Sequence, residues 1–254
     1  MLIAAKSTWT EVRDFLTERT VAILPIGSTE PHGPHLPLDT DVTIAEAQAR
    51  RAGELLEAQG IPVLLLPALA YGMTQFTDGF AGTVSLRPAT LWAMLEDIVN
   101  SLAEQGVRQV VFSNGHLEPE HVAVLRGVIL DHTERGHEKA HAIFPDNTRR
   151  RWAQTLGEEF ASGDCHAGSY ETSIVLCADP ESVRREELAG LEPIQIDLVA
   201  KMREGARNFL QCGATEAYCG NPAAASAEEG QQWIDQLGQM LATTVLETWP
   251  ELAQ

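Results

Sequence analysis

Apolar and polar positions along this chain follow two alternating rhythms. Unbroken apolar runs at Val21–Ile26, Val63–Ala68, Gln109–Ser113, Ala140–Phe144 and Thr172–Cys177 read as strands buried on both faces. Stretches with helical spacing lie among them, at Thr8–Glu18, Asp41–Gln59, Pro88–Gln105, Pro119–Glu134 and Asn147–Phe160. A late helix is expected over Ala227–Glu247, with Trp233, Leu237, Met240, Leu241 and Val245 on its apolar side. The alternation predicts an α/β protein with a mostly parallel sheet covered on both faces. No internal repeat or clear linker divides the chain, so residues 1–254 are expected to form one domain.

The chemistry collects where strands end. Val21–Ile26 runs into GSTEPHGPHLPLDTD, Gln109–Ser113 into NGHLEPEH, and the strand near Ile143 into FPDNTRRRW. In open α/β sheets, sites form beyond the carboxyl ends of the strands, so clusters distant in sequence can converge. The first cluster carries Glu30, His32, His35, Asp39 and Asp41, on a path stiffened by Pro25, Pro31, Pro34 and Pro37. An extended backbone sets Glu30 and His32 on one side, and Asp41 follows at the expected start of a helix. The second cluster offers His116 and Glu118 after the turn at Gly115. A third runs Cys165-His166-Ala167-Gly168-Ser169-Tyr170-Glu171-Thr172-Ser173. In it His166 suits proton transfer, and Glu171 suits metal binding or the orientation of a partner.

Imidazole and carboxylate donors without thiolates suit Zn, Mn or Fe(II). The pool holds more ligands than one ion needs, which points to two divalent ions with Asp41 as the bridge. Such a pair would polarise a carbonyl and bring a bound water to hydroxide near neutral pH. Two other readings stay open: a non-catalytic metal-binding protein, and a metal-free hydrolase using Ser28 or Cys165. After the fourth strand, Asn147, Arg149 and Trp152 are candidate substrate contacts, the first two suiting a hydroxylated or anionic substrate.

Composition narrows the partners. The chain has 254 residues, 44% of them hydrophobic and 21% charged, enough for a sizeable core. Its formal charge of −18 argues against nucleic acid and against an anionic membrane surface. The longest apolar stretch, Ile61–Met73, is broken by Pro62 and Pro67 and is too short to cross a bilayer. The opening MLIAAKSTWT lacks the apolar stretch of a secretory signal, and four cysteines without a CxxC pair give no disulfide framework. A cytoplasmic protein acting on a small molecule is expected.

The segment GSTEPHGPHLPLDTD resembles the hallmark motif of the creatininase (creatinine amidohydrolase) family, and NGH and HAGSYETS resemble its second and third motifs, in matching order from Val21 to Cys177. The resemblance implies a three-layer α/β/α sandwich, a two-metal centre, hydrolysis of a C–N bond, usually in a cyclic amide, with a formamide, a short peptide or C–C cleavage of a ketocyclitol as alternatives, and a homo-oligomer, commonly a hexamer. It places Glu30, His32, Asp41 and His116 on metal ligands, with Asp41 bridging. Either Glu118 or Glu171 completes the second metal's shell, and His166 falls on the histidine proposed to protonate the leaving nitrogen. Departures fall on the substrate lid. Where creatinine enzymes carry tryptophans this chain has Pro145 or Asp146, and Ser162; Thr77 stands where a histidine is frequent; and the usual F-P-G-T reads Phe80-Ala81-Gly82-Thr83. These departures argue against creatinine itself as substrate.

Overall fold

A computed structural model describes residues 1–134 and 140–253. Five parallel strands form its sheet: β1 (Leu2–Ile3), β2 (Val21–Ile26), β3 (Val63–Leu65), β4 (Gln109–Asn114) and β5 (His141–Ile143), in the order β1-β3-β2-β4-β5. Alternation along the central strand builds two cores. Ala22, Leu24 and Ile26 of β2 point to one face, joining Val110 and Phe112 under α3 (Pro88–Glu104) and α4 (Pro119–Glu134). Val21 and Ile23 point to the other, joining Val63, Leu65, Val111 and Ile143 under α2 (Thr40–Glu57) and α11 (Ala227–Thr248). The result is the expected α/β/α layering.

Local signals set several boundaries. Helix α1 (Trp9–Phe15) starts at a capping box between Thr8 and Glu11 and ends short of the expected Glu18. Strand β3 stops at Leu65, two residues before Pro67, rather than continuing to Ala68. Two expectations are corrected. Asn147–Phe160 is two short helices, α5 (Arg150–Ala153) and α6 (Gly157–Ser162), broken where Gly157 takes φ 89°. Thr172–Cys177 belongs to helix α7 (Ser169–Ala178), not to a strand. Its side chains from Tyr170 to Leu176 are all buried, and a helix enclosed on every side carries the same unbroken apolar run as a central strand. Gly230 lets α11 close on α7, because a Cβ there would stand 1.8 Å from the Ser173 carbonyl oxygen.

The segment after α7 holds three short helices that the apolar rhythm did not announce: α8 (Arg185–Ala189), α9 (Leu198–Arg203) and α10 (Phe209–Cys212). Asp164 ties this segment down by accepting from the backbone N–H groups of Ile196, Asp197 and Leu198 at 2.9 to 3.1 Å. Among the described residues, no helix is long and apolar enough to cross a membrane.

Candidate metal centre

The site lies at the carboxyl ends of β2 and β4, and two glycines open the space for it. Gly27 follows β2 and Gly115 follows β4, whose ends pair at Ile26 and Asn114. A Cβ on Gly115 would stand 2.1 Å from the Asp41 carbonyl oxygen, and one on Gly27 2.5 Å from the Val42 nitrogen. Without those carbons the first turn of α2 sits directly on the strand ends. Gln48 and Ser113 lock it there through bonds to the Asn114 and Ala45 carbonyls, at 2.9 and 2.8 Å. Asp41, in that first turn, is thereby brought to the centre of the cluster.

Three histidines are then oriented in the same way. His32 Nδ1 donates to the Glu30 carbonyl at 3.1 Å, His116 Nε2 to the Met73 carbonyl at 2.6 Å, and His166 Nε2 to the Pro31 carbonyl at 3.0 Å. Backbone acceptors fix each ring and leave the opposite nitrogen facing carboxylates, as in histidine ligand sets. His32 Nε2 lies 3.1 Å from Asp41 Oδ1 and 3.5 Å from Glu171 Oε2. His116 Nδ1 lies 2.9 Å from Asp41 Oδ2 and 3.1 Å from Glu30 Oε1. Asp41 therefore offers one oxygen to each ring. Three groups are compact enough to hold an ion: Glu30–Asp41–His116, His32–Asp41–Glu171 and Glu30–His32–His166. Two of them share Asp41.

The electrostatics follow from this crowding of imidazoles and carboxylates. Burial disfavours a charged His32, yet Asp41, Glu171 and Glu30 outweigh it and raise its pKa to about 10. His116 is likewise raised, Glu30 and Asp41 overcoming burial. Asp41 is held well below the usual carboxylate range: burial opposes this, but the two imidazoles prevail. Burial lifts Glu171 to about 8 although His32 pulls the other way. Despite this crowding, His32 Nε2 and Asp41 Oδ2 are buried atoms that make no hydrogen bond. Buried polar atoms normally have partners, and a ring nitrogen facing a carboxylate oxygen holds either a proton, as the raised pKa of His32 implies for the ion-free site, or a cation that displaces it.

The other sequence-derived residues sort by distance from this centre. Glu171 belongs to one of the three donor groups, and its Oε2 also accepts from the Ala167 N–H at 2.7 Å, Ala167 being held at φ 50°. Glu118 joins none of the three groups. It accepts instead from the Gln75 and Phe76 N–H groups at 3.2 and 3.0 Å and lines the cavity, where burial raises it to about 7. His166 stacks on Phe209 with centroids 4.3 Å apart, and burial followed by His32 holds its pKa well below the ordinary value. His35 faces away, its Nε2 bonded to Thr172 Oγ1 at 2.8 Å. Cys165 is a buried thiol that burial pushes well above its ordinary pKa, unlike the thiolate a nucleophile needs.

The cavity over the centre measures about 350 Å³. Phe76, Phe160, Phe209, Leu198 and Met202 give it apolar walls, so the segment carrying α9 and α10 forms much of its cover. Asn147, Arg149 and Trp152 do not line it. Arg149 is exposed and donates to Asp146 at 3.0 Å, and Trp152 packs beside Leu156 and Ile234 under the Arg151 guanidinium. Their neighbours Thr148 and Ala153 line the cavity in their place, together with Arg126 of α4. One residue of register in an irregular loop decides which side chains face inward, and residue type carries no such information. The sequence reading also missed Thr74, whose hydroxyl donates to Glu30 Oε2, and the role of Thr77, which bonds Thr74 at 2.9 Å and reaches Glu30 at 3.4 Å.

The family model for creatininase, described as creatinine amidohydrolase, matches residues 5–245. The chain belongs to the creatininase family. It is 35% identical over 217 residues to the mycofactocin precursor peptide peptidase of Mycobacterium tuberculosis, covering 83% of this chain and 78% of that protein. It is 29% identical over 250 residues to the creatinine amidohydrolase of Pseudomonas putida, covering 91% and 90%. The solved structure of a putative creatinine amidohydrolase from Bacteroides fragilis superposes with a TM-score of 0.74 at 27% identity, covering 100% of this chain and 96% of that one. The protein is thus a hydrolase of the creatininase family.

Proposed function

We propose that this creatininase-family hydrolase cleaves a C–N bond of a small amide, cyclic or at the end of a short peptide, and does so with two divalent ions that share Asp41. The observation that carries this reading is the overlap of two donor groups at Asp41, one oxygen facing His32 and the other His116, with His32 Nε2 and Asp41 Oδ2 both buried and making no hydrogen bond. Glu30, Asp41 and His116 would hold one ion; His32, Asp41 and Glu171 would hold the other. When bound, divalent cations polarise a carbonyl and lower the pKa of water.

The chain's own residues divide the remaining work. Glu118, with a pKa of about 7, exchanges protons readily near neutrality and suits a base that takes the attacking water's proton. His166 turns Nδ1 inward while Nε2 is committed to Pro31. A proton arriving on Nδ1 is held weakly, because burial and His32 oppose the charge, so it passes on to the leaving nitrogen. Phe76 and Phe209, ring centroids 5.0 Å apart, exclude water from the bond being cut. A cavity of about 350 Å³ admits more than a single small ring, which supports including a peptide end among the substrates.

The test strips the protein with a chelator, reloads it with Mn or Zn, and assays cyclic amides, N-acyl amino acids, short peptides, formamides and ketocyclitols. Amide turnover that vanishes on chelation and returns on reloading is expected. Full activity in chelator, or cleavage confined to ketocyclitols, would refute the proposal.

A further inference from the structure

Of the described residues that line the cavity, Arg126 carries the one guanidinium, and no lysine is among them. Pro119, Val122 and Arg126 lie on the same face of α4, at spacings of three and four residues, and all three line the cavity that contains Glu30, Asp41 and His116. At 1.5 Å per residue, Arg126 stands about 10 Å along the helix from Pro119. Its guanidinium is held in place. Nε donates to Asp146 Oδ2 at 2.7 Å, Nη2 lies 2.6 Å from the same oxygen, and Nη2 donates to Thr148 Oγ1 at 2.8 Å. Thr148 Oγ1 donates in turn to Asp146 Oδ1 at 2.6 Å.

The charges in this cluster do not balance. Asp146 is nearly buried and serves two guanidiniums, Arg126 and Arg149. Among the described residues neither arginine pairs with any other acid, so one positive charge is left over. It stands out in a chain with 18 basic and 36 acidic residues. Nη1 of Arg126 is uncommitted among the described residues, and the side chain is 40% exposed, enough for a ligand to reach it. A fixed, planar guanidinium whose Nη1 is uncommitted, with one surplus charge in its cluster, matches a single carboxylate through a charge-assisted hydrogen bond.

Building on the hydrolase reading, we propose that Arg126, braced by Asp146 and Thr148, is the specificity-determining contact for a free carboxylate on the substrate, in the same cavity that Glu30, Asp41 and His116 line. That carboxylate belongs either to a peptide C-terminus or to a small non-peptide half-amide. The Asp146 brace keeps the guanidinium in place before substrate arrives, so little side-chain entropy is lost on binding.

The test is calorimetric titration of the metal-loaded protein with N-acyl dipeptides and with half-amides of dicarboxylic acids, each as the free acid and as the neutral methyl amide. Wild type, Arg126→Ala and Arg126→Gln are compared, the glutamine variant keeping much of the aliphatic stem. Wild type is expected to bind the free acid of one arm at least about tenfold more tightly than its neutral partner, as for a charge-assisted hydrogen bond. In both variants that advantage should fall to about onefold while the neutral compounds bind as before. The arm that shows the preference identifies the source of the carboxylate. Equal binding of acid and neutral forms in both arms, no binding of any acid, or a preference that survives both substitutions would overturn the assignment. Turnover in the same samples separates the two proposals. Amide hydrolysis without acid preference removes the subsite alone, and acid preference without hydrolysis of any amide removes the enzymatic reading alone.

Discussion

At the scale of single residues, the site depends on how Asp41 is shared. Its two oxygens face different imidazoles, at 3.1 and 2.9 Å, so changing one side chain weakens two donor groups together. Asp41→Asn is expected to lose both metals and to cut turnover by roughly a thousandfold or more, read from metal content and kcat on one preparation. Thr74→Val tests the support beneath Glu30. The hydroxyl steadies Oε2 without belonging to any donor group, so metal affinity should drop about 10- to 100-fold while the fold persists. The pH dependence has a definite sign. With His32 raised to about 10 and Glu171 to about 8, the ion-free site carries protons at neutral pH that a cation must displace. Affinity should therefore rise with pH, and calorimetry in buffers of different ionisation enthalpy should register proton release. Affinity that stays flat between about pH 6 and 8 would count against this picture.

At the scale of elements, the glycines that end β2 and β4 matter as much as the ligands. Gly115→Ala places a methyl group against the backbone of Asp41, where no rotamer change relieves it. A loss of about 3 kcal/mol in unfolding free energy is expected, together with lost metal, measured by denaturant titration and metal analysis. The same scale shows why some elements could be read and others could not. Strands β2 and β4 are short apolar runs closed by turn residues, and helices α2, α3, α4 and α11 each keep one period long enough to identify. Helix α7 does not, because every face of it meets protein from Tyr170 to Leu176 and polarity no longer marks a side. The candidate donors were legible because Glu30, His32, Asp41 and His116 sit at strand ends within recognisable spacing. Thr74, Phe209 and Arg126 were not, because they reach the centre or its cavity from segments whose residue types are ordinary wherever they occur.

At the scale of the molecule, the sheet brings distant stretches together while the cover comes from the segment after α7. Phe209 and Met202 roof the cavity, and Asp164 anchors that roof beside the His166 loop. Metal should therefore stabilise the whole chain. An ion at about one hundred times its dissociation constant adds about 2.7 kcal/mol to unfolding, seen as a concentration-dependent rise in melting temperature. The excess of acidic residues, 36 against 18 basic, leaves the arginines beside the cavity as a local exception that the overall charge conceals.

The most direct measurement is anomalous diffraction from crystals of the Mn-loaded protein. Two peaks per chain are expected, one at Glu30, Asp41 and His116 and one at His32, Asp41 and Glu171, each within roughly 2.0–2.3 Å of a different Asp41 oxygen. A single peak, or two of which only one touches Asp41, would contradict the shared-carboxylate centre.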